Sequence, residues 1–148
     1  MVLENFQKFE YPEEQTNSRK IMYLHGVEKG AQTGSLLGLG IGAIYGFIKK
    51  KPIFLAATKG SGVGIVVGSL LVMPMIAGRM HGRSEIEWQD RAWRLQRNQG
   101  QLRADYSSNI GGLLGVAIGP LLFKVPILSG AGLGSAVGVL GSIMYGTL

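Results

Sequence analysis

The sequence predicts an all-α membrane protein: four glycine-zipper transmembrane helices arranged as two antiparallel hairpins and joined by a polar, partly helical loop. Three observations carry that reading. Glycines recur at four-residue spacing inside apolar segments, charge is concentrated before and between those segments, and the segments fall into two close pairs.

The first glycine row runs Gly26, Gly30, Gly34, Gly38, Gly42 and Gly46. Each interior glycine costs about 1 kcal/mol against alanine in water, so the row would melt a water-exposed helix by roughly 6 kcal/mol. In a bilayer unpaired backbone groups cost several kcal/mol each, so the helix is enforced and the glycines become a groove for another helix. Three further rows follow: Gly60, Gly64 and Gly68 after Ala56; Gly111, Gly115 and Gly119; and Gly130, Gly134 and Gly138 with Ser142 and Gly146. Packing within the protein is the ordinary use of such rows; lipid-facing or pore-lining rows are the alternatives. Four-residue steps drift around a helix by 40° each, so the first row turns through about 200°. That drift predicts two partners, with the middle of the row meeting a crossed helix of the bundle and Gly26 and Gly30 meeting something outside it.

A polar N-terminal extension over residues 1–24 precedes a four-span membrane domain over 25–148. The first span, about 31–48, ends at Lys49, Lys50 and Lys51, which can snorkel to lipid headgroups. The second, about 53–77, carries Lys59 near its start and Pro74 near its end, where the last turn should kink or loosen. The third, about 107–123, is short. The fifteen residues from Asn109 to Phe123 give only about 22 Å of helix, which implies local bilayer thinning or cover by neighbours. The fourth, about 125–145, follows a turn at Phe123–Pro126 too short for anything but an antiparallel hairpin. The two hairpins form a loose internal repeat, and an even number of spans puts both termini on one side.

Segment 79–106 is the polar link between hairpins. Ser84 and Glu87 form a capping-box pattern that starts a helix. Trp88, Ala92 and Leu95 then make an apolar stripe, with Glu87–Arg91 and Asp90–Arg94 at ion-pair spacing, and Gly100 is the expected end or bend. The helix reads as interfacial, with Trp88 and Trp93 as headgroup anchors, or as a contact for a partner protein. Arg79, Arg83, Arg91, Arg94, Arg97 and Arg103 suit either use, because guanidinium binds lipid phosphate and carboxylate alike.

The net charge of +6 is gathered at the ends of apolar segments, where lipid phosphates lie, and no nucleic-acid motif accompanies it. Anionic phospholipid, cardiolipin-like, is therefore an expected ligand, while nucleic acid and a small-molecule substrate are not. Cysteine is absent, which excludes disulfides and thiolate metal sites. His25 and His81 flank spans and read as interfacial polar residues; no catalytic fingerprint is present, and no catalytic, cofactor or metal site is expected. The predicted spans contain no buried charge of the kind a pump or proton relay uses, and only Thr33, Ser35, Thr58, Ser61, Ser69, Ser129 and Ser135 offer mild polarity. Residues 1–24 carry Glu4, Glu10, Glu13 and Glu14, unlike an acid-poor transit peptide, so targeting information is expected to be internal. Phe6, Phe9 and Tyr11 are candidates to dock on a neighbour.

Four short glycine-ridged spans and an arginine-rich entry to the third resemble the mitochondrial Tim-type translocase family, over about residues 20–146. The matching stretch is Arg103-Ala104-Asp105 followed by Gly111-Gly112 and Gly115. It departs from the family pattern in that Gln101 stands where the arginine is expected and the glycine pair is one residue early. The resemblance implies a multi-pass protein of the mitochondrial inner membrane, most like the translocase-like accessory subunit of respiratory complex I. On that basis the expected function is a non-catalytic accessory subunit bracing membrane subunits and lipids of a large respiratory complex; the alternative is a subunit of a protein- or metabolite-translocating complex. Lysine and arginine number five on the side of the hairpin turns and ten on the side of the termini, which favours termini in the matrix. The resemblance implies the reverse, and termini in the intermembrane space are the expectation.

Overall fold

The computed structural model describes residues 7–146, which are helical throughout their regular structure. A 3₁₀ turn at Pro12–Glu14 precedes α1 (Ser18–Ile48), α2 (Ile53–Arg79), α3 (Glu85–Arg97), α4 (Gln99–Phe123) and α5 (Ile127–Gly146). Four of these, α1, α2, α4 and α5, are long and apolar enough to cross a membrane. The protein is accordingly a multi-pass membrane protein. Its large apolar side chains point outward, with Phe47 75% and Leu121 80% exposed, while small residues face inward. That inversion of the water-soluble pattern is stable only where lipid replaces water.

Glycine determines the register of both hairpins. In the first, Gly30 faces Gly68, Gly34 faces Gly64, Gly38 faces Gly60 and Gly42 faces Ala56, so that advancing four residues on α1 retreats four on α2. In the second, Gly111 faces Gly134, Gly115 faces Gly130 and Ser107 faces Gly138. The glycine–glycine pairs are reciprocal: a Cβ on either member would overlap the carbonyl of the other. Such approaches place Cα–H groups against carbonyl oxygens, each contact worth about 0.5–1 kcal/mol. Lysines in the left-handed conformation, Lys50 and Lys124, sit in the two hairpin turns. Both turns lie at the same end of the bundle, where Phe54 and Phe123 meet with ring centroids 5.3 Å apart.

The expected second partner for the first row is not found. Gly26 packs on Ile76 and Gly30 on Gly68, both in α2, so the whole row meets one helix. α2 carries its own row at the same spacing, and two rows with the same drift stay in contact by winding about each other. A repeat longer than 3.6 residues favours a right-handed winding.

The hairpins join through α5 against α2 and α1. Here the small residues lie outside the four-residue rows. A Cβ on Gly62 would lie 2.9 Å from Ser129 Cα, and one on Gly132 would lie 2.6 Å from the Ser61 carbonyl carbon. The buried hydroxyls nearby turn back on their own helices: Ser61 Oγ donates to the Thr58 carbonyl at 2.8 Å, Ser35 Oγ to Gln32 at 2.8 Å, and Thr58 Oγ1 to Phe54 at 3.0 Å. Ser108 and Ser135 share a hydroxyl–hydroxyl bond of 2.7 Å between α4 and α5.

Two boundaries differ from expectation. α4 begins at Gln99, and its 25 residues give about 37 Å, so the short apolar stretch is the inner part of a longer helix whose first turns are polar. The break before it falls at Asn98, whose side chain accepts from the Gln101 amide at 3.1 Å, and Gly100 lies inside the first turn of α4. A side-chain acceptor that competes for the first free amides stops one helix and caps the next. Pro74 lies within α2, which continues to Arg79.

Substituting Gly38→Leu or Gly134→Leu forces a side chain into a facing backbone. Each should lower stability by about 3 kcal/mol or more. Gly40→Ala, with nothing within 4 Å of the new methyl, should stay within about 1 kcal/mol of wild type. Thermal unfolding in detergent, followed by circular dichroism, measures all three.

Candidate functional site

α1 has 31 residues and is about 46 Å long, well beyond the roughly 30 Å hydrocarbon core. Its first turns therefore extend past the apolar span, on the side of the chain termini, and meet the polar first turns of α4. The sequence there reads His25, Glu28, Lys29 and Gln32 on α1, and Asp105 and Asn109 on α4. Spacings of three and four residues bring these α1 side chains onto one helix face.

Asp105 is the centre, 1% exposed. Its Oδ1 accepts from Gln32 Nε2 at 2.9 Å and from the Lys29 ammonium, while Oδ2 lies 3.5 Å from His25 Nδ1. Lys29 Nζ also donates to Gln32 Oε1 at 2.6 Å. On the next turn the Asn109 side-chain amide donates to Glu28 Oε1. Each carboxylate thus has one oxygen held by a donor. The other oxygens, Glu28 Oε2 and Asp105 Oδ2, are buried without a hydrogen bond, as is His25 Nδ1.

This arrangement changes the reading of the sequence in one respect. His25 is 7% exposed and Glu28 9%, so His25 is an interior residue rather than an interfacial one. The buried charge lies in the turns of α1 and α4 that precede the predicted spans, not in the spans themselves. What sequence reasoning missed was the meeting of His25 and Glu28 with Asp105, far along the chain. The visible signals were the three-residue His25–Glu28 spacing and the lone acid ahead of the third glycine row.

The predicted contact residues are placed as follows. Lys49, Lys50 and Lys51 are exposed in the first turn, as are Arg79, Arg83, Arg94, Arg97 and Arg103 toward the other end, while Arg91 is half-buried. Arg103 lies over the Tyr145 ring at 5.6 Å. The two tryptophans both meet other parts of the chain. Trp88 is buried against α1, 6.1 Å from the Tyr23 ring, with Arg19 above it at 5.6 Å. Trp93 lies under Arg97 at 4.0 Å and donates to the Phe9 carbonyl at 3.2 Å. The apolar stripe of α3 therefore covers α1, with Ala92 against Ile21, because α1 projects far enough to offer it a surface.

The polar extension packs on α3 as well. Gln89 Nε2 donates to the Glu13 carbonyl at 3.2 Å, and Arg97 donates to the Phe9 carbonyl. Phe9 is half-buried there and Tyr11 is exposed; Glu4 and Phe6 lie outside the described residues. Asp90 pairs with Arg94 at 2.8 Å as expected, but Glu87 pairs with Arg83 at 2.8 Å instead of Arg91. The capping box explains that choice. Glu87 Oε2 turns back to accept from the Ser84 amide at 2.9 Å, carrying the carboxylate toward Arg83.

α3 is fastened to α1 at one exposed point. Glu85 accepts from Ser18 Oγ at 2.8 Å and from Arg19 at 2.9 Å. The Ser18 hydrogen bond and then the Arg19 contacts hold the Glu85 carboxyl below its ordinary 4.5, against a smaller opposing effect of desolvation. The Ser84 amide, aided by Arg83, lowers Glu87 likewise.

Comparison with known proteins finds a family model, described as Protein of unknown function (DUF1757), that matches residues 3–148. No curated protein matches the chain.

Two tests follow from this geometry. Asp105→Ala removes the carboxylate facing Lys29 and should cost about 3 kcal/mol in thermal unfolding. A lowered folded-state value for Glu85 and Glu87 means that their contribution is full above about 4.5 and is lost as pH falls through the lowered values. In a Trp93→Phe background, Trp88 emission should therefore change on acidification below 4.5. Glu85→Gln should abolish most of that change.

Proposed function

The chain belongs to the DUF1757 family, and we propose that it is a non-catalytic accessory subunit of a mitochondrial respiratory complex, complex I in the first instance, bracing membrane subunits and anionic lipid. The observation that carries this reading is a lateral groove of about 880 Å³ along the outer face of α1 and α2. Leu37, Ile41, Val63, Val67 and Leu71 line it, Lys29 stands at one end, and Tyr45, Lys51 and Lys59 stand at the other. An apolar trough with the Lys51 and Lys59 ammonium groups at one end suits a phospholipid acyl chain with its phosphate, or a neighbouring transmembrane helix with an acidic flank.

The middle of the bundle supports bracing over conduction. α2 and α5 approach backbone to backbone at Ser61, Gly62, Ser129 and Gly132. The hydroxyls of Ser35, Thr58 and Ser61 bond back to their own helices rather than lining a passage. The exposed arginines of α3 and the start of α4 then offer a second contact surface outside the hydrocarbon, for phosphate or partner carboxylate.

Gentle solubilisation of the native membrane and separation of complexes by size tests the proposal. The chain should co-migrate with NADH dehydrogenase activity. Migration with an import complex, or crosslinks to preproteins, would defeat it in favour of the translocating role.

A further inference from the structure

We propose that His25, Glu28 and Asp105 form a binding site for one divalent first-row transition metal ion of the zinc class, fastening α1 to α4 at the terminus end of the bundle. This goes beyond the bracing role and rests on separate observations. The three residues are all buried, and one ligand atom from each lies within 4.8 Å of the others. His25 Nδ1 and Asp105 Oδ2 are 3.5 Å apart, close to the ligand–ligand separation of about 3.3 Å in a tetrahedral zinc site.

The second observation is the set of unsatisfied atoms. His25 Nδ1, Glu28 Oε2 and Asp105 Oδ2 are buried without a hydrogen-bond partner. Buried polar atoms normally find a partner, and beyond the 3.5 Å approach of His25 Nδ1 to Asp105 Oδ2 these have none, so a shared cation is the partner that suits them. The remaining oxygens are already oriented as in an outer shell: Gln32 and Lys29 hold Asp105 Oδ1, and Asn109 holds Glu28 Oε1. Ligating carboxylates are characteristically fixed this way through their second oxygen.

Charge points the same direction. Glu28 and Asp105 together outnumber the one ammonium of Lys29, so the cluster is net negative and attracts a cation. One imidazole with two carboxylates is a borderline donor set that suits zinc, iron or manganese. Three protein ligands leave a fourth position for water. The site also explains why a lone histidine is buried beside an aspartate that a lysine already neutralises in part.

Full-length chain purified in detergent, stripped with chelator and titrated with Zn²⁺ against a chromophoric competitor, decides the matter. We expect saturable uptake of about one ion per chain. His25→Ala and Glu28→Gln should each weaken binding at least tenfold, Asn109→Ala about tenfold through the outer shell, and His81→Ala not at all. Co²⁺ loaded into the wild-type chain should give the intense visible absorption of a four-coordinate site, a readout that holds even where a variant fails to fold. No saturable uptake by the wild type, no such Co²⁺ band, or unchanged affinity in folded His25→Ala would overturn the proposal.

Discussion

The rest of the structure depends on helix backbones in direct contact. In lipid there is no hydrophobic drive between two apolar helices, so association rests on packing and weak polar contacts, both of which fall steeply with distance. Gly34 against Gly64 and Gly111 against Gly134 remove the side chains that would hold the helices apart. Every other feature of the bundle follows from that closeness. Large apolar residues are displaced to the outer surface, and the trough along α1 and α2 remains because glycines leave the outer rim of their contact unfilled.

Closeness also explains the polar cluster. Small residues between α5 and the first hairpin bring the two hairpins together with little side-chain bulk between them, and the projecting turns of α1 and α4 converge beyond the apolar span. Groups that would otherwise reach water are thereby enclosed. Asp105 can be nearly fully buried because Lys29 and Gln32 arrive with it from one helix face. α3 then closes over α1, with Trp88 beside Tyr23 and Trp93 under Arg97.

The function proposed for the protein draws on surfaces rather than on chemistry. Exposed arginines on α3, lysines at the first turn and the apolar trough lie on the outside of a bundle whose small residues are engaged internally. A metal fastening at the terminus end is compatible with this, since it would join the hairpins where α1 and α4 share few other contacts. It would also make the bracing unit stiffer where the polar extension and α3 are attached.

Four helices, their pairing and the turns at Lys50 and Lys124 were legible because they depend on local facts: glycine period, apolar length and a short connection. The capping box at Ser84 was legible for the same reason. What the linear pattern did not reveal is who meets whom. The single partner of the Gly26–Gly46 row, the junction at Gly62 and Gly132, and the burial of Trp88 each require knowing the second surface. His25, Glu28 and Asp105 make the distinction sharpest. Sequence shows a histidine and two acids near the ends of apolar segments, but only the crossing of α1 and α4 turns them toward one point, because burial and convergence are properties of packed helices and not of any one of them.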